Sequence, residues 1–261
     1  MTGWICTGVA RAMVAVALVF TIAACSPPGP PAPAATTQPP AIPAGVSCSS
    51  LVGDGRQVRF GRNGSTDLGG LVYGTGRSGV VLAHQSGGDL CMWLDYGKML
   101  AQRGYRVLLF DFPGVASSSG ATMRIDEAAV AAADFVRADG ASQVVLIGAS
   151  MGGTAVVAAA AQVTPPIAGV ISLSAPSTYA GVNAADQARN LAVPVLYAVA
   201  EDDPQFVGSA RAMFDNTPAS VPRKLVVVPV GGHGVRLVQG GDGGPVGKDV
   251  DAFLQQYAPS A

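Results

Sequence analysis

The residues best suited to chemistry are few. Ser150 lies in Gly148-Ala149-Ser150-Met151-Gly152, with Gly153 following, and the whole chain has only two histidines, His84 and His233. A serine hydroxyl is a poor nucleophile until a base takes its proton, and the base needs an acid to orient it. His233 stands in Gly231-Gly232-His233-Gly234, and the stretch Glu201-Asp202-Asp203-Pro204 offers carboxylates between the serine and that histidine. Acyl transfer through a covalent serine intermediate is the chemistry such a set performs. A G-x-S-x-G run alone says little in a chain with 34 glycines. The competing reading is a glycine-rich turn in which the serine merely caps a helix.

The elements around these residues decide between the two. Val144–Gly148 is a short apolar run of the kind expected of a strand buried on both faces. It leads directly through Ser150 into an Ala-rich helix ending near Gln162. Further strands are predicted at Gln57–Gly61, Gly70–Gly74, Gly79–His84, Arg106–Phe112, Ala168–Leu173, Val193–Ala200 and Leu225–Val230. Helices are predicted at Leu90–Gln102, Ile125–Ala138, Ala184–Asn190, Gln205–Asp215 and Val246–Tyr257. Strands separated by helices of this length imply an α/β fold with a doubly wound, mostly parallel sheet. Ligands of such sheets bind beyond the C-terminal strand ends. His84 to Ser86, Asp111, Ser150, Asp203 and His233 all follow strands. In that setting Ser150 occupies a tight strand-to-helix turn, with helix N–H groups and the positive dipole end available to an oxyanion.

Composition narrows the partners. Net charge is -1, charged residues are 13% of the chain, and no basic run exists, so a nucleic-acid partner is not expected. No metal or organic cofactor is expected either. Residues 1–25 read as an export signal. Arg11 precedes the apolar run Ala12–Ala24, which is short for a bilayer span and suits a signal peptide. Its end, Ile22-Ala23-Ala24-Cys25, resembles a bacterial lipobox, which implies acylation of Cys25 and attachment to the extracytoplasmic face of the membrane through that lipid alone. An ordinary secretory signal is the alternative. Residues 26–47 read as a linker, since eight of the 19 prolines lie between Pro27 and Pro43, a density that favours extended polyproline II. The domain is then residues 48–261. In an exported protein Cys48 and Cys91 could form a disulfide or remain unpaired buried thiols, and Ser150 is a better nucleophile candidate than Cys91.

From about Gly70 to Tyr257 the chain resembles the α/β-hydrolase superfamily, in particular its small, lid-poor, dienelactone-hydrolase-like members. The resemblance rests on the Ser150 turn, the acid turn Ala200-Glu201-Asp202-Asp203-Pro204 and His233. It implies a catalytic set of Ser150, Asp203 and His233, selecting Asp203 over Asp202 and Glu201. It also implies an oxyanion hole from the N–H of Met151 and that of Ser86, with Gln85 as the second candidate because it stands where relatives carry glycine. His84 is then a loop-organising residue and Asp111 shapes the rim. Too little chain lies between Leu173 and Val193 for a large cap, and Trp93, Tyr179 and Phe206 are candidate wall residues, with plain core packing the favoured reading for Trp93. The implied activity is hydrolysis of a small ester or acyl substrate. Peptidase or acyltransferase activity on the same residues, or a lipid-anchored binding protein without catalysis, are the alternatives.

Overall fold

The computed structural model describes residues 48–119 and 122–260, so the expected signal, Cys25 and the proline-rich linker lie outside the described residues. Eight strands form one sheet in the order β1-β2-β4-β3-β5-β6-β9-β10. They are β1 (Arg56–Phe60), β2 (Leu68–Tyr73), β3 (Ser78–Ala83), β4 (Arg106–Phe110), β5 (Gln143–Ala149), β6 (Gly169–Leu173), β9 (Val195–Ala200) and β10 (Arg223–Val228). β1 and β2 pair antiparallel, β2 joins β4 antiparallel, and every pairing from β4 to β10 is parallel. The β3–β5–β6–β9 centre is buried at almost every position, which is why these strands read as continuous apolar runs.

Side chains alternate across the sheet, and each set meets its own helices. On one face Val81, Leu108 and Leu146 pack with α2 (Ile125–Ala138), α3 (Met151–Ala160) and α4 (Ala184–Gln187). On the other, Val80, Leu109 and Ile147 pack with α1 (Leu94–Gln102) and α6 (Gly247–Tyr257). Helices on both faces make the sheet doubly wound, as expected. α3 is buried at every position, so its Ala, Gly and Val content matches a helix enclosed on all sides.

The structure adjusts several boundaries. The predicted helix at 90–102 begins as a 3-10 turn, Leu90–Trp93, and the one at 184–190 ends as another, Ala188–Asn190. β10 stops at Val228, ahead of Pro229, which has no N–H to continue a ladder. Between β6 and β9 the chain forms a small hairpin, β7 (Thr178–Tyr179) with β8 (Val182–Asn183), rather than a cap domain. α5 (Pro204–Asn216) follows β9.

Candidate active site

Ser150 sits at the N-cap position of α3 but makes no side-chain capping hydrogen bond. Its backbone is at φ 50 and ψ -117, far from the extended geometry of an ordinary N-cap and outside the regions an L-residue prefers. Such a conformation costs about 1–3 kcal/mol and persists only where neighbours over-determine it. Here the Ser150 N–H donates to Leu173 O at 2.8 Å, and Ser150 O accepts from Thr154 N–H at 3.0 Å. The flanking glycines make the turn sterically feasible. A Cβ on Gly148 would lie 2.2 Å from Gly152 O, and one on Gly152 would lie 2.2 Å from Ala83 O and 2.7 Å from His84 O. The first turn of α3 is thus pressed against the main chain that ends β3. The capping alternative therefore does not describe Ser150.

Asp203 repeats the pattern. It holds the N-cap position of α5, with Pro204 in the first turn, where an Asp would normally accept from a helix N–H. Its side chain makes no capping bond; Asp203 Oδ2 instead meets His233 Nδ1 at 2.7 Å. The Asp203 carboxylate is largely buried while the His233 side chain keeps 31% of its exposure, and the Phe206 ring lies 4.4 Å from the imidazole, centroid to centroid. Asp202 does a different job. Its carboxylate accepts from the N–H groups of Gly231 and Gly232, the closest contacts being 3.2 and 3.0 Å, and so pins the turn that presents His233. Glu201 is exposed.

Gly234 brings the His233 loop next to the serine turn. A Cβ there would lie 3.4 Å from Ala149 Cβ and 2.2 Å from Gln85 Oε1. Gln85 Oε1 accepts from Val235 N–H at 3.2 Å, a contact across 150 positions that no local pattern signals. Met151 opens α3 and is buried. Ser86 is exposed, and its Oγ accepts from the Tyr179 hydroxyl at 2.9 Å, so the β7–β8 hairpin reaches the loop after β3.

The other strand-end residues build the frame. His84 is fully buried. Its Nδ1–H donates to Gln85 O at 2.8 Å and its Nε2 accepts from Phe112 N–H at 3.1 Å, which fixes the tautomer and occupies both nitrogens. Burial pushes its pKa below the ordinary 6.5. Asp111, also fully buried, accepts from Leu90 N–H at 2.7 Å and Ser117 N–H at 2.9 Å, and from the Ser117 hydroxyl. Burial raises its pKa against those hydrogen bonds. It joins the loop after β3 to the loop after β4 and does not pair with His233. Cys48 and Cys91 are joined by a disulfide, which fastens the start of the described chain to the 3-10 turn beyond the His84–Asp89 loop. Trp93 is fully buried beside Tyr96 in the core, the setting favoured for it over a place in the wall of the site. Among the described residues no cluster of His, Cys, Asp and Glu could hold a metal ion.

Comparisons with known proteins agree with this architecture. A family model described as the α/β-hydrolase fold matches residues 80–191. No curated protein matches the chain. Among solved structures, an esterase of Pyrococcus furiosus superposes with a TM-score of 0.69 at 15% identity, over 84% of this chain and 99% of the esterase. A dienelactone hydrolase of Anabaena variabilis gives 0.62 at 20% identity, over 78% and 98%. A monoacylglycerol lipase of Paleococcus ferrophilus gives 0.60 at 18%, over 73% and 99%. At such identities the likeness speaks for architecture alone. With the parallel sheet, the strained serine turn after β5 and only a small hairpin between β6 and β9, the chain has the α/β-hydrolase fold, without a large cap.

Proposed function

We propose that the protein is a serine hydrolase that cleaves carboxylic esters through an acyl-enzyme at Ser150. The observation that carries the reading is the Asp203–His233 bond of 2.7 Å, on a loop packed against the residue that precedes Ser150. His233 Nε2 takes the Ser150 proton as Oγ attacks the ester carbonyl, and Asp203 holds the imidazole and stabilises its cation. The tetrahedral oxyanion is held by the N–H of Met151 at the start of α3, where the helix dipole adds to the hydrogen bond, and by the N–H of Ser86. Each such donor contributes about 3 kcal/mol in the transition state. His233 then protonates the leaving alkoxide, and water, deprotonated by His233, releases the acid. Esterase, lipase and dienelactone-hydrolase names among the structural neighbours support an ester substrate over a peptide.

The same reading places the enzyme outside the cytoplasm, held by lipid on Cys25 and spaced from the membrane by residues 26–47. Ile22-Ala23-Ala24-Cys25 after an apolar run supports it. A Cys25→Ser variant should leave the membrane fraction, and mass spectrometry should find no acyl group. For the chemistry, a fluorophosphonate probe should label the folded protein at Ser150 and not label Ser150→Ala. p-Nitrophenyl esters of graded chain length should be turned over by the wild type only. A folded wild type that neither labels nor turns over would end the proposal.

A further inference from the structure

We infer that Gln85 is a positioning residue that locks the His233 loop to the loop after β3, so that the general base and the oxyanion donors are held as one unit. The inference rests on the hydrolase reading above for its kinetic consequence and on the geometry alone for the lock itself. Gln85 and Val235 are 150 positions apart in the chain, yet Gln85 Oε1 accepts from Val235 N–H at 3.2 Å. Val235 is buried, and this bond supplies the acceptor for its N–H. The space for the carboxamide exists because residue 234 is glycine. Its φ is +61, and a Cβ would lie 2.2 Å from Gln85 Oε1 and 3.2 Å from Gln85 Cδ. Residues 85 and 234 are therefore complementary.

The main chain of Gln85 is held as firmly as its side chain. Its carbonyl accepts from His84 Nδ1–H, and His84 Nε2 accepts from Phe112 N–H in the loop after β4. His84 and Gln85 together thus tie the loop after β3 to those after β4 and β10. A glycine at 85 could supply the main-chain half of this arrangement and not the side-chain half. Asparagine has the right group but falls one methylene short, whereas glutamate keeps an acceptor at the same reach.

The test compares Gln85→Ala, Gln85→Asn and Gln85→Glu with the wild type on a p-nitrophenyl ester. Alanine and asparagine should lower kcat by about 10- to 100-fold, the scale of a misplaced catalytic group, with KM changed less than about twofold. Glutamate should restore most of kcat. Gly234→Ala, strained at its positive φ in either background, should lower kcat by less in the Gln85→Ala background than in the wild type, a non-additivity that contact between the two positions requires. If the wild type turns over and Gln85→Ala matches its kcat, the inference falls while the hydrolase reading stands. If the wild type neither turns over nor labels with fluorophosphonate, the hydrolase reading falls, and hydrogen exchange of the Val235 amide decides the lock. Faster exchange in the Ala and Asn variants and not in Glu would uphold it; equal exchange in all four proteins would overturn it.

Discussion

His84 and His233 both lie in loops at the C-terminal side of the same sheet, His84 directly after β3 and His233 a few residues beyond β10. Around His84 both ring nitrogens are consumed by main-chain groups, the ring packs edge-on to Phe112, and no part of it reaches solvent. Around His233 one nitrogen is bound by a carboxylate, and 31% of the side chain stays exposed. The first arrangement makes a histidine a bracket between loops; the second orients the ring by a carboxylate, as the proposed proton carrier requires. The difference lies in what each ring touches, since the residue type and the strand-end position are shared.

Substitutions at the two sites should separate along those lines. The largest effect is expected for His233→Ala, which should lower kcat by at least about 10⁴-fold without loss of fold, measured on a p-nitrophenyl ester. A His233→Ala protein with near wild-type turnover would reverse the assignment. Asp203→Asn should fall in the same range, about 10⁴-fold, because an amide presents the wrong tautomer to His233. Asp202→Asn should cost far less, about tenfold or below, since it loosens the Gly231–Gly232 turn without touching the imidazole. Equal losses at 202 and 203 would show that the two carboxylates share the role.

The effect at His84 should appear in stability. His84→Ala leaves the buried Phe112 N–H without its acceptor and opens a cavity, so denaturant unfolding should show a loss of about 2–4 kcal/mol. The smallest effect is a dependence on pH. Burial keeps native His84 neutral below its ordinary pKa of 6.5, while the unfolded chain takes up a proton there. Stability from this residue is therefore full above 6.5 and is lost as pH falls from there through the folded-state value. Asp111 acts with the opposite sign, because burial raises its pKa above the ordinary 3.8 and favours the protonated native form. The stability gap between wild type and His84→Asn should narrow as pH falls below 6.5 and stay flat above about 7.5. A gap constant across that range would mean that His84 is not held neutral by the fold.

Much of the architecture was legible because burial writes itself into composition. Val80, Val81 and Leu82 form an unbroken apolar run since β3 is covered on both faces, and Ile125–Ala138 appears with the same bounds in sequence and structure. The β7–β8 hairpin was not legible, being two-residue strands stabilised by what lies around them. Trp93 lies in the core, the more common setting for a large aromatic, whereas sequence alone also allowed it a place in the pocket wall.

The chain order Ser150, Asp203, His233, each beyond the end of a strand, is a property of the sequence alone, because alternating apolar runs dictate a parallel sheet and a parallel sheet gathers its strand ends. The two N-cap positions are also written there, and local rules would assign both Ser150 and Asp203 to capping. Only the tertiary structure decided otherwise. Packing of α3 against the end of β3 forces Ser150 into its strained turn, and the loop after β10 brings His233 within 2.7 Å of Asp203. The same holds for Asp202 pinning the Gly231–Gly232 turn, and for Gln85 meeting Val235. Local propensity reports what neighbours in sequence prefer, whereas these contacts depend on distances between segments that meet only once the sheet has formed.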